Sequence, residues 1–337
     1  MTTTIDPSTT TPEPAAPAAL PAARGKQRKL KWPGFGLVFA VVFLGGLTLM
    51  AIFADYLSFI PYPDALIPGP DGRPGRYEWG PSWTAWFGTD GVSNDVFSKT
   101  IYGARTSLQV GVFATVFGIV VGGVLGVIAG YFRGWVDRVV MIITDCLLAL
   151  PALLLAIILV NRLSDLAEDT SWLGWLSRKW TIVFTLGILA TAPLARIVRA
   201  QTLSLREREF VLAARSLGAK PGRVMFREIM PNLIPAILTV AFTGLSILIA
   251  AEGALAFLGL GVEVGTPTWG KLIDENRNKI DEAWWATMFP CLMLFLTVLS
   301  FNIIGDRLSR RFDIWQAGVG AISSRHRPAT STGRCSN

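Results

Sequence analysis

Hydrophobic positions along this chain run in unbroken blocks, without the spacing of a half-buried helix or strand. Six blocks approach or exceed the roughly 20 residues needed to cross a hydrocarbon core: 34–57, 107–132, 139–160, 181–200, 233–257 and 284–305. The pattern predicts an all-α fold, a polytopic membrane protein of about six transmembrane helices. Between the blocks lie a Thr/Pro/Ala-rich start, a long segment at 58–106 rich in Pro, Gly and Trp, and a segment at 161–180 holding Trp172, Trp175 and Trp180. Indoles there suit an interfacial belt, and contact with an external partner is the other reading. A further polar segment fills 206–231.

Charge orients the spans. Residues 1–23 contain almost no large apolar side chain and cannot repay the entropy of ordering, so 1–33 reads as a disordered, basic-ended tail. Its cluster Arg24, Lys26, Arg28, Lys29 and Lys31 precedes the first apolar block, which has no small-residue cleavage site and reads as a retained helix. With the start of the chain inside, 21 of the 31 Lys and Arg fall on the cytoplasmic side, which places both termini in the cytoplasm. The organisation that follows is a tail at 1–33, a first helix and outer loop at 34–106, a five-helix core at 107–306 and a cytoplasmic tail at 307–337. The expected location is a membrane that the chain crosses several times.

Composition narrows the chemistry. The chain is 51% hydrophobic and 16% charged, against roughly 25% charged in a soluble domain. Lipid is the solvent this balance fits. The net charge of +7 is accounted for by the inward-facing basic segments, so no nucleic-acid partner is expected. One histidine, His326, leaves no histidine-based triad or metal cluster, and Cys146, Cys291 and Cys335 are too scattered for a zinc knuckle.

Four local patterns stand out. Gly118, Gly122, Gly126 and Gly130 recur every fourth residue, which bares one helix face either for tight packing against another helix or for a substrate path. Gly265 to Lys271 imitates a phosphate-binding G-x-x-x-x-G-K loop, but Leu272 stands where a Ser or Thr hydroxyl would meet Mg²⁺, and Pro267 and Trp269 are bulky there. No nucleotide site is expected in this chain. Asp145 and Glu252 are acids inside apolar blocks, where a charge is costly. Each either holds helices together or meets substrate in the pathway. The fourth pattern is 206–231, too polar to insert: Ala213, Ala214 and Leu217 favour a short helix, Gly218 can end it, and Pro221-Gly222 makes a turn before a second short helix running to Pro231. A nearly bare helix face at Ala214 and Gly218 suits docking on another protein.

Ala213-Ala214-Arg-Ser-Leu-Gly218, followed by Ile229-Met230-Pro231, resembles the EAA loop of ABC-importer permeases. Phe87-Gly-Thr-Asp90, Asp95-Val-Phe, Tyr102-Gly-Ala-Arg105-Thr-Ser-Leu, Ala192-Pro-Leu-Ala-Arg196-Ile-Val-Arg199, Phe257-Leu-Gly-Leu-Gly261, Pro267-Thr-Trp-Gly270 and Phe301-Asn-Ile-Ile-Gly-Asp306 narrow the resemblance. Together they are similar to the C-type permease of the dipeptide/oligopeptide/nickel branch, over about 35–315. The chain departs from the pattern at Leu212, where the family usually has Glu, and at Ser93-Asn94.

The resemblance implies a permease subunit of a peptide importer that forms half of the translocation pathway, without its own nucleotide site. It implies a homologous B-type permease, two ATPase domains or subunits that hold ATP and Mg, and an extracytoplasmic substrate-binding protein. It assigns coupling to the ATPase to Leu212, Ala213, Ala214, Gly218, Ala219, Ile229 and Pro231, on a cytoplasmic coupling helix between spans four and five. Nickel or another small solute is the alternative cargo. An ion-coupled secondary transporter using Asp145 or Glu252 is the competing class.

Overall fold

In the computed structural model, which describes residues 35–68, 79–170, 174–263 and 265–324, every long apolar block forms helix. The tail expected at 1–33, Trp172, His326 and Cys335 lie outside the described residues. Helix α1 (Phe35–Phe53) runs on into a 3₁₀ turn at Ala54–Tyr56. It is apolar on every side. Ala40, Leu44, Leu47 and Ala51 are buried at helical spacing, while Val38, Val42, Leu49 and Ile52 are more than half exposed, as a lipid-facing helix requires.

Helix α2 (Val96–Phe132) begins earlier than the apolar pattern at 107 suggests. Asp95 is the reason: its carboxylate accepts from the backbone N–H groups of Phe97 (3.3 Å) and Ser98 (3.0 Å), which the first turn leaves without partners. The expected loop 58–106 therefore donates its last eleven residues to this helix of 37 residues. At the other end Arg133 and Gly134 both take positive φ, turning the chain sharply into α3 (Gly134–Ala149).

The third expected span, 139–160, is not one helix. Helices α3 and α4 (Ala152–Asp169) meet at 99° across Leu150-Pro151. A residue before proline is pushed out of the helical region, and Leu150 is extended at φ −87, ψ 141. Among the described residues, five helical runs are individually long and apolar enough to span, and the bent pair makes six if it counts as one.

Helix α5 (Arg178–Arg206) contains Pro193 and leads to the short α6 (Glu209–Ser216). After Gly218 a single turn, α7 (Pro221–Arg223), enters a π-helical turn at Val224–Ile229 and then α8 (Met230–Leu255). Pro231 was expected to end a short helix. Instead the helical run continues from Pro221 to Leu260, because the widened turn before Pro231 absorbs its missing N–H: Met230 donates five residues back to Met225. Asn232 Nδ2 also donates to the Glu228 carbonyl at 2.7 Å.

A second π turn at Ala256–Leu260 ends where Gly259 takes φ +79. Thr268 then caps α9 (Trp269–Asn276), an eight-residue helix that the apolar pattern does not announce. Helix α10 (Trp284–Ser324) runs well past 306, where the tail was expected to begin.

Helices α2 and α5 form the centre, and the glycine stripe is the reason they fit. A methyl group on Gly122 would lie 2.6 Å from the Thr191 carbonyl oxygen, and one on Gly126 would lie 2.6 Å from that of Ala195. Gly118 and Gly130 press on Ala190 and Thr202 in the same way. Of the two readings of the stripe, tight packing is the one realised. Helix α1 lies against α2 and α10, α4 against α5, and α9 against α2, α8 and α10.

Gly123 gives an internal control, since nothing lies within 4 Å of a methyl group placed there. Gly126→Ala is expected to lower stability by about 1–3 kcal/mol, because the clash is with backbone, whereas Gly123→Ala changes it by less than about 0.5 kcal/mol. Thermal unfolding midpoints of detergent-purified protein check this, and equal midpoints for the two variants would refute the packing role.

Candidate functional site

Among the described residues, three groupings take in the residues that the sequence singles out, and the first is built around α6. That helix ends in a Schellman motif: Ala219 N–H donates to Ala214 O at 3.1 Å and Gly218 N–H to Arg215 O at 2.9 Å. Gly218 takes φ +79, the left-handed conformation that its sequence context suggests, and a side chain there would meet nothing within 4 Å. The helix has two unlike faces. Val211 is fully buried in one apolar cluster with Val127 and Tyr131 of α2, Val198 of α5, Val224 and Ile229 of the π turn, and Leu233 of α8. Leu212 is 49% exposed and Leu217 88% exposed, and Ala213 and Gly218 are also open.

The seven residues that the resemblance assigned to coupling thus separate. Leu212, Ala213, Gly218 and Pro231 are exposed, Ala214 and Ala219 are half-buried, and Ile229 lies inside the anchoring cluster. Ile229 holds the segment in place and is not open to a partner. Sequence reading missed the anchors Val211 and Val224, although apolar β-branched residues inside a polar loop were the available signal. It also missed Tyr131, which receives Arg206 and Arg215 over its ring.

The second grouping lies at the opposite end of α2. Glu252 of α8 is 1% exposed and accepts from Ser107 Oγ at 2.9 Å through Oε2. Ser107 Oγ in turn accepts from the backbone N–H of Trp269 at 3.4 Å. The Trp269 indole is wholly buried and donates to Thr100 O at 3.0 Å, while Gly270 packs directly on the Gly253 backbone. One acid, one hydroxyl and one helix start therefore tie α8, α2 and α9 together. The phosphate-loop look-alike is taken up by this packing: Trp269 and Gly270 are core, and Lys271 Nζ donates to Glu263 O at 3.2 Å.

Asp145 does not join Glu252. Its side chain is 59% exposed on α3 and pairs with Arg196 of α5. One turn further along α5, Arg199 grips Asp137 of α3 with two N–H groups, one at 2.6 Å. The Arg196-Ile-Val-Arg199 stretch thus places two cations on one helix face, each met by an acid of α3. Nothing in the sequence separation of these four residues foretells the pairing.

Comparison with known proteins gives a consistent picture. Residues 122–314 match the family described as binding-protein-dependent transport system inner membrane component, a stretch that contains α6, Arg196 and Glu252. The dipeptide transport system permease protein DppC of Alkalihalophilus pseudofirmus is 36% identical over 309 residues, covering 90% of this chain and 95% of its own length. The glutathione transport system permease protein GsiD of Shigella dysenteriae is 37% identical over 306 residues, covering 88% and 94%. A chain of the MetNI methionine ABC transporter, solved in inward-facing conformations, has a similar fold. Its TM-score is 0.52 at 19% identity, covering 63% of this chain and 95% of that one.

The hydrogen-bonded knot can be separated from charge recognition by two substitutions. Glu252→Gln keeps an oxygen that accepts from Ser107, so the thermal midpoint of the purified protein is expected to stay near wild type. Glu252→Leu leaves the Ser107 hydroxyl without its acceptor and is expected to cost about 1–3 kcal/mol. A Leu variant as stable as wild type would show that the knot holds nothing.

Proposed function

The chain belongs to the family of binding-protein-dependent transport system inner membrane components, and we propose that it forms one half of the pathway of an ATP-driven peptide importer. It is a multi-pass membrane protein and a transport component. Peptide is the proposed cargo because the two relatives described above are dipeptide and glutathione permeases. Both termini and α6 face the cytoplasm in this reading, as the distribution of Lys and Arg favours. A homologous permease completes the pathway, a substrate-binding protein delivers cargo from outside, and two partner ATPases hold ATP and Mg.

The observation that carries the reading is the two-sidedness of α6. Its inner face is fixed in the cluster around Val211, and its outer face leaves Leu212 and Leu217 uncovered in a segment too polar to lie in lipid. Apolar side chains left open on a firmly anchored, projecting helix fit a partner's groove. Closure of the ATPases on ATP would then move α6, and the anchoring cluster would carry that motion to α2, α5 and α8. The Gly218 turn fixes the shape of the projecting tip.

Gly218→Trp tests this. The variant is expected to insert normally, since insertion depends on the apolar spans. The left-handed conformation costs it about 1 kcal/mol, and the indole projects from the docking face. Substrate uptake per ATP hydrolysed in proteoliposomes, or ATPase retained on purification, should fall at least several-fold, to the order of tenfold for each ~1.4 kcal/mol lost at the contact. Wild-type values of both would refute the docking role.

A further inference from the structure

We propose that Tyr131 is the positioning residue through which displacement of α6 reaches α2, held for that purpose between Arg215 of α6 and Arg206 of α5. The inference rests on the coupling role of α6 given above. Tyr131 is the penultimate residue of α2 and is only 8% exposed. The Arg215 guanidinium carbon stands 4.9 Å from its ring centroid and that of Arg206 stands 5.8 Å away. Arg206 Nη1 also donates to the Tyr131 carbonyl at 2.6 Å, which fixes the backbone as well as the ring.

Arg215 makes this more than a filled gap. Its Nε is buried without a hydrogen-bond partner, and no ion pair to it exists among the described residues. A buried N–H without an acceptor needs compensation, and the face of the Tyr131 ring is what lies against this guanidinium. Val211 stands one turn before Arg215 on the same helix face and is buried in the same cluster as Tyr131. The inner face of α6 therefore meets the end of α2 through two successive turns. The neighbouring pair Arg133 to Glu207, at 2.5 Å, joins the ends of α2 and α5 beside it.

What lies beyond Tyr131 suits transmission. Helix α2 is 37 residues long with no proline, a rod of roughly 55 Å at 1.5 Å per residue. Helix α5 holds Pro193, α8 holds Pro235 and is flanked by π turns, and α3 and α4 meet at a sharp break. The unbroken, proline-free route from α6 to the Glu252, Ser107 and Trp269 knot is α2, and Tyr131 is its point of entry.

The test uses the assembled complex with its ATPases, with and without ATP and vanadate, and reads hydrogen exchange in α9, at the far end of α2. Wild type should show a nucleotide-dependent change there. Tyr131→Phe, which keeps the aromatic face, should match it. Tyr131→Leu, which fills the apolar cluster without that face, should retain the ATPases yet respond about fivefold less, within the range set by loss of a cation–π contact. Arg215→Gln should give the same loss, and the double variant no more than either single one, because the two residues act as a unit. Arg215→Gln carries the test alone if the Leu variant does not assemble. A wild-type response in Tyr131→Leu or Arg215→Gln, a Phe variant as deficient as Leu, or no response at α9 in wild type would overturn the proposal. Wild-type protein that retains no ATPase would instead contradict the coupling reading on which it stands.

Discussion

The close approach of α2 to α5 is the constraint on which the remaining packing depends. Four glycines at intervals of four let backbone and side-chain atoms of α5 come within the space a single methyl group would need. In lipid no hydrophobic effect drives two helices together, so backbone contact and van der Waals packing must do it. Once α2 and α5 are joined, the acids of α3 meet Arg196 and Arg199, the end of α2 meets α6, and the outer turns of α2 meet α8 and α9. Wider spacing would separate all of these contacts at once.

The proposed function rests on what is fixed at each end of that pair. At one end, Val211, Tyr131, Val224 and Ile229 make α6 part of the bundle, so the element cannot move independently of the helices it touches. At the other, Glu252, Ser107 and Trp269 close three helices on one buried hydrogen-bonded chain. An acid placed in lipid-embedded helix is expensive unless it is used. Here its visible use is to hold α8 against α2, and Asp145, the other acid expected in the membrane, is spent on Arg196.

The spans were legible because lipid demands unbroken apolar runs, and the end of α6 was legible because a left-handed turn favours glycine. The break at Leu150-Pro151 was hidden inside an apolar block, where hydropathy gives proline no weight. Helix α9 was hidden for the opposite reason: eight residues with two acids and a lysine carry no apolar run, although Trp269, Gly270 and Leu272 are buried. Asp95 announced the start of α2 only to a reading that weighed caps above hydropathy. The joins were least legible of all. Ser107 and Glu252 are 145 positions apart, and which hydroxyl meets a buried acid is decided by helix packing. The resemblance likewise grouped the buried Ile229 with residues that are exposed or half-buried, since a motif records which residues recur and not which way they face.

The central claim is that α6 offers one face to a partner ATPase and the other to its own bundle. Photo-crosslinking groups placed singly at Leu217 and at Val211, in membranes containing the whole transport complex, test it most directly. An adduct with the ATPase is expected from position 217, and only intrachain products from position 211. Capture of the ATPase with equal yield from both positions, or from 211 alone, would contradict it.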